Sequence, residues 1–159
     1  MKSQSKFISA IDRGAELVVA AIFAVIFFIA IWQVFNRFVI NASLSWSEEA
    51  QIFGHIWIVF LGIPIAYKRQ AHLHIETFCD MFPRKFRAAF NLFVELLWAA
   101  FALLLVSMGW MVAEIAHMQE SPGLGIPMSY PYYGLVVGGL YLLFVAVCRI
   151  LGCAWRVPS

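Results

Sequence analysis

Four long apolar stretches, separated by short polar ones, organise this sequence. The first covers 14–36, GAELVVAAIFAVIFFIAIWQVFN, roughly 34 Å as an α-helix and enough to cross a hydrocarbon core ~30 Å thick. It is too long for the apolar part of a cleaved leader, and no small-residue cleavage site closes it, so the pattern predicts a retained helix. The second, 50–67 (AQIFGHIWIVFLGIPIAY), is just long enough to span, and Pro64 predicts a bend or break near its end. The third covers about 88–113 and is long enough to tilt. The fourth covers about 132–151, with Pro131 suited to its first turn.

Two shorter segments have a different period. Over 71–87, Ile75, Phe78, Phe82 and Phe86 recur at helical spacing, with Glu76, Asp80, Arg84 and Arg87 off that stripe. This predicts an arm over about 71–82 lying along the headgroups, its apolar side down, with Arg84, Lys85 and Arg87 toward anionic lipid. Pro83 divides the arm from the third helix, and Phe7, Ile8 and Ile11 predict a shorter amphipathic lead-in to the first. The fold expected is an all-α integral membrane protein, one membrane domain over 1–159. It has four transmembrane helices and a short amphipathic interfacial helix between helices 2 and 3.

Composition agrees. Of 159 residues, 63% are hydrophobic and 13% charged, with a mean hydropathy of +0.84. That leaves too little polar surface to coat a globule in water, so the solvent is the lipid bilayer. The charge distribution then sets an orientation. Of the 11 Lys and Arg, only Arg37 falls on one side of the predicted spans; the rest lie at the two ends of the chain and in the 68–87 loop. By the positive-inside rule both termini face the cytoplasm. These cations are not gathered on a soluble face, so no nucleic-acid partner is expected. Cys79, Cys148 and Cys153 are odd in number, lack metal-type spacing and fall at or near the cytoplasmic side, which predicts neither a disulfide nor a structural metal.

The sharpest local signal is Ser45-Trp46-Ser47-Glu48-Glu49 at the start of helix 2. Ser45 and Glu48 have capping-box spacing, and two carboxylates suit the positive end of a helix dipole. A well-capped helix with Trp46 at the membrane interface accounts for these residue types. The other reading is a partner-docking surface of Trp46, Ser47, Glu48 and Glu49, with Arg37 pairing with Glu48 or Glu49. Glu95 lies about two turns into helix 3, where it either bonds a partner helix or reaches back to Arg84, Lys85 or Arg87. His72 and His74, at i and i+2, point to different sides of a helix and make a poor metal pair. His55 lies deep in helix 2 without a histidine mate, which argues against a haem-binding span. Gly134 and Gly138 have small-xxx-small spacing, a packing signal. The 117–131 loop, HMQESPGLGIPMSYP, contains no Lys or Arg and reads as a shaped periplasmic turn, free or touching a periplasmic partner. No catalytic set and no cofactor site can be assembled.

In order along the chain, FNRFVI ends helix 1, WSEE follows at 46–49, then FLGIPIAYKRQAHLHIE at 60–76, FPRKFR at 82–87 and SPGLGIPMSY before helix 4. This sequence of motifs, over about residues 7–151, resembles the small membrane subunit of tripartite ATP-independent periplasmic (TRAP) transporters, the DctQ-like family. The resemblance implies residence in the bacterial inner membrane and two partners: a large multi-helix membrane subunit and a periplasmic substrate-binding protein. Such transporters import an organic acid, for instance sialic acid or a C4-dicarboxylate, with a sodium gradient. The large subunit carries the substrate by an elevator movement. The small subunit packs on its fixed scaffold and holds no substrate site of its own. Two rivals remain at this level. One is a stand-alone four-helix homodimeric transporter with Glu16 as its proton-coupled site; the other is a quinone or haem enzyme subunit.

Overall fold

The computed structural model describes residues 2–69 and 84–151. α1 (Lys2–Phe35) passes into a π-helical turn at Asn36–Ile40. It starts well before the expected position 14, because lead-in and span form one uninterrupted helix. No proline interrupts it, and in lipid every backbone amide gains from an internal partner. The π turn ends at Asn41, whose φ of 55° is left-handed, a region asparagine tolerates better than most residues. The amides of Asn41 and Ala42 both donate to the carbonyl of Asn36, whose buried side chain donates to Trp32 O at 2.9 Å.

α2 (Ser45–Arg69) also begins earlier than the apolar run. Ser45 is its first helical residue, so the reciprocal Ser45–Glu48 cap is not what closes this end. Ser47 ties the first turn back to the preceding residue, its Oγ donating to Leu44 O at 2.7 Å and its amide at 3.2 Å. Pro64 neither ends nor interrupts the helix, which continues to Arg69. α3 (Arg84–Ala116) takes Arg84, Lys85, Phe86 and Arg87 into its first turn. α4 (Ser129–Ile150) carries Pro131 near its start, as expected. The arm positions Ile75, Phe78 and Phe82, together with His72, His74, Cys79 and Cys153, lie outside the described residues.

All four helices are long and apolar enough to cross a membrane, and among the described residues there is no strand, only an isolated bridge between Glu120 and Pro127. α4 is the centre. It packs against α3 on one side and α2 on the other, and α2 in turn packs on α1. Of the most apolar stretch of α4, 39% is buried, against 6% for α1, so α1 is an outer helix. Leu142, Val145 and Ala146 of α4 are fully buried.

The α2–α4 seam depends on one glycine. Pro64 has no N–H, so the Phe60 carbonyl one turn earlier has no helical donor. Gly138 packs directly on that peptide: a methyl group added there would lie 2.7 Å from the Phe60 carbonyl carbon and 2.9 Å from its Cβ. One turn away Gly134 faces the Trp57 ring, and a methyl group there would lie a tight 3.3 Å from it. The spacing of Gly134 and Gly138 is thus a packing face, and its partner is within the chain.

Candidate functional site

Polar side chains gather at the two ends of the helix array. At one end, the first third of α1, the end of α2 and the second half of α4 meet in a buried ion pair: Lys68 donates to Asp12 Oδ2, and the Tyr141 hydroxyl donates to Asp12 Oδ1 at 2.6 Å. The side chains are only 14% and 7% exposed. Beside it, α3 joins through Glu95, which receives Arg149 Nε at 2.7 Å and the Tyr67 hydroxyl at 2.5 Å. The Arg149 guanidinium also lies over the Tyr67 ring, 4.7 Å from its centre, and that ring packs against Trp98 at 4.5 Å. Tyr67 and Lys68 are neighbours on α2, so adjacent residues tie α2 to all three other helices.

The opposite end holds the loop between α3 and α4. Its backbone folds on itself: Ser121 N donates to Ile126 O at 2.9 Å, Gly125 N to Ser121 O at 2.8 Å, and Met128 N to Gln119 O at 2.8 Å. Glu49, in the first turns of α2, clasps this loop. Its carboxylate accepts the Ser121 hydroxyl and the amides of Gly123 and Leu124, the latter two at 3.0 Å. Gly123 is required by the close approach, since a methyl group there would lie 2.8 Å from Glu49 Oε2 and 3.0 Å from Trp46 Cα. The Trp57 indole adds a bond to Tyr130 O at 3.2 Å. Between α1 and α2, Gln51 donates to Gln33 Oε1 at 2.5 Å and Gln33 donates to Glu48 Oε1 at 3.2 Å.

Replacing Glu49 by alanine is therefore expected to free the loop without unfolding the helices. Hydrogen exchange at the Gly123 and Leu124 amides should accelerate, whereas Glu48→Ala should leave them protected. Unchanged protection in the Glu49 variant would show that the loop holds its shape by its own bonds.

The candidate residues separate accordingly. Among the described residues no ion pair joins Arg37 to Glu48 or Glu49: Arg37 is exposed, and both carboxylates are engaged elsewhere. Trp46 is 37% exposed, while Ser47 is fully buried beneath it. Glu95 bonds Arg149 of α4 and Tyr67 of α2, while the side chains of Arg84, Lys85 and Arg87 lie outside those described. Asp12, Lys68, Tyr141 and Arg149 had no assigned pairing role in the sequence reading, because a long-range pair leaves no local spacing signal. Lys68 and Arg149 enter the charge pattern only as cations that orient the chain. Among the described residues, no group of three His, Cys, Asp or Glu side chains could hold a metal ion.

This array of spans, with charges paired at one end and a shaped loop clasped at the other, has relatives. Residues 26–155 match the family model described as tripartite ATP-independent periplasmic transporters, DctQ component. The sialic acid TRAP transporter small permease protein SiaQ of Vibrio cholerae is 28% identical over 134 residues, 84% of this chain and 78% of that protein. The C4-dicarboxylate TRAP transporter small permease protein DctQ of the same organism is 23% identical, covering 92% of this chain and 72% of its own length. The sialic acid TRAP transporter permease protein SiaT of Haemophilus influenzae is 28% identical over 84% of this chain, but the match takes up only 22% of that longer protein. A match over residues 26–155 covers most of the molecule, from within α1 to past the end of α4, and the chain belongs to the DctQ component family of the TRAP transporters.

Proposed function

We propose that this protein is the non-catalytic small permease subunit of a TRAP transporter that imports an organic acid with a sodium gradient. It works with a large membrane subunit and a periplasmic substrate-binding protein in the inner membrane of a bacterium. The observation that carries the reading is the similarity to SiaT, in which a segment like this chain makes up 22% of a much longer permease. A module that can be joined to a larger permease in one polypeptide is a natural companion to a separate large permease.

The internal geometry supports a static role. Asp12 with Lys68 and Glu95 with Arg149 neutralise one another inside the chain. Transporter sites instead place convergent polar groups at broken helices near the midplane, whereas α2 runs through Pro64 unbroken. Such a subunit stiffens and widens the fixed scaffold against which a moving carrier works. In this reading both termini and the arm over about 71–82 lie on the cytoplasmic side. The Glu49-clasped loop, Arg37 and Trp46 then lie on the periplasmic side, available to the binding protein, with Glu48 beside them and Ser47 buried behind.

Tagged protein, co-expressed with the large TRAP permease of the same organism's system, is expected to retain that permease through purification in mild detergent at equal stoichiometry. Recovery of this chain alone, with the large permease intact in the same membranes, would contradict the subunit reading.

A further inference from the structure

The outer surface of α2 differs from those of α1 and α3. Glu48, Ile52, His55, Val59 and Ala66 are all exposed, and at 100° per residue they fall within a stripe about 60° wide. The opposite side is occupied: Gly54 meets Ile22 and Ile26 of α1, Trp57 and Phe60 meet Gly134 and Gly138 of α4, and Leu61 and Pro64 are buried. Gln33 of α1 reaches the Glu48 carboxylate at the start of the stripe, and the rest of it, from Ile52 to Ala66, is exposed among the described residues.

His55 makes this surface unsuited to lipid. It lies roughly 15 Å along the helix from Ser45, about halfway through a ~30 Å core. Its Nδ1 is 2.7 Å from the carbonyl of Gln51 one turn earlier. A carbonyl only accepts, so Nδ1 carries the proton, and in the neutral ring Nε2 is left as an acceptor. Acyl chains have no donor to offer it, and an unmet polar group at this depth is costly. On the outer surfaces of α1 and α3 the exposed polar groups, such as the Trp32 and Trp110 indoles, lie nearer the ends of their spans or are met within the chain. Phe23, Phe27, Phe28 and Ile31 of α1 are met fully by acyl chains. The Ser107 hydroxyl of α3 is satisfied by Leu104 O at 3.1 Å. Glu114 lies within a turn of the end of α3, where a headgroup or water is in reach.

We infer that the Glu48–Ile52–His55–Val59 stripe of α2 is the docking surface for a transmembrane helix of the large permease, one that carries a hydrogen-bond donor facing His55 Nε2. Ile52 and Val59 pack against that helix one turn above and below the bond. The inference rests on the subunit reading and deepens it by naming the face and the chemistry of the partner: a hydroxyl, amide or indole N–H at mid-membrane depth.

Two measurements on the co-expressed complex in native membranes test it. A photo-crosslinking residue placed at Ile52 or Val59 is expected to capture the large permease, and one at Phe27 or Leu103 to capture lipid. In mild detergent, His55→Leu is expected to lower recovery of the large permease about three- to tenfold, the range of one interhelical hydrogen bond. His55→Gln, whose carbonyl still accepts, should recover most of that loss. Capture of only lipid or of a second copy of this chain from the stripe, while wild-type protein still retains the large permease, overturns the docking face and leaves the subunit reading intact. Equal recovery with His55→Leu overturns the hydrogen bond. If wild-type protein retains no large permease, the subunit reading fails first and the docking face with it.

Discussion

Substituting Asp12 by alanine is expected to destabilise the protein by about 2–3 kcal/mol, below the range for a fully buried pair because this one lies close to the membrane boundary. The Asp12 carboxylate is 7% exposed and accepts from both Lys68 and Tyr141, so one deletion loosens α1 from α2 and α4 together. Lys68 would lose its carboxylate partner while its ammonium stays largely desolvated. Removing both charges is a different matter, because neither is then left uncompensated. The double variant Asp12→Leu with Lys68→Met should lie within about 1 kcal/mol of wild type. Reversible unfolding in mixed micelles measures both. Additive losses in the double variant would mean that the two groups act independently.

The second large effect is at Gly138. Alanine there must push against the Phe60 backbone rather than against a flexible side chain, so the α2–α4 seam has to open. Overpacking of this kind costs about 1–3 kcal/mol. Gly62 provides the control: nothing lies within 4 Å of a methyl group at that position. There alanine should be neutral or stabilising by up to about 1 kcal/mol, through helix propensity alone. Equal effects at the two glycines would refute the account of the seam.

The spans were legible because lipid imposes a simple rule: a helix must stay apolar for the thickness of the bilayer, and the sequence carries four such runs. Their ends were less legible. Ser45–Glu49 and Lys2–Arg13 are polar or mixed, so hydropathy excluded them, although each continues the adjoining helix. Pro64 predicted a break, but the helix runs through it to Arg69, because the packing of α2 against α1 and α4 outweighs the cost of one lost backbone bond. Pairing was least legible. Glu49 meets Ser121, Gly123 and Leu124 across more than seventy positions, and Asp12 meets Tyr141 across 129. Glu95 stands out in the sequence as a charge at membrane depth, and in the structure it is paired within the chain. That partner, Arg149, had been assigned only the task of orienting the chain.

The role of a supporting subunit is tested most directly by transport in reconstituted vesicles. Liposomes would contain the large permease alone, this protein alone, or both, with binding protein and labelled organic acid outside and an inward sodium gradient. The account predicts accumulation only when both are present, and none from this protein alone. Uptake by vesicles holding this protein alone, or undiminished uptake by the large permease without it, would contradict it.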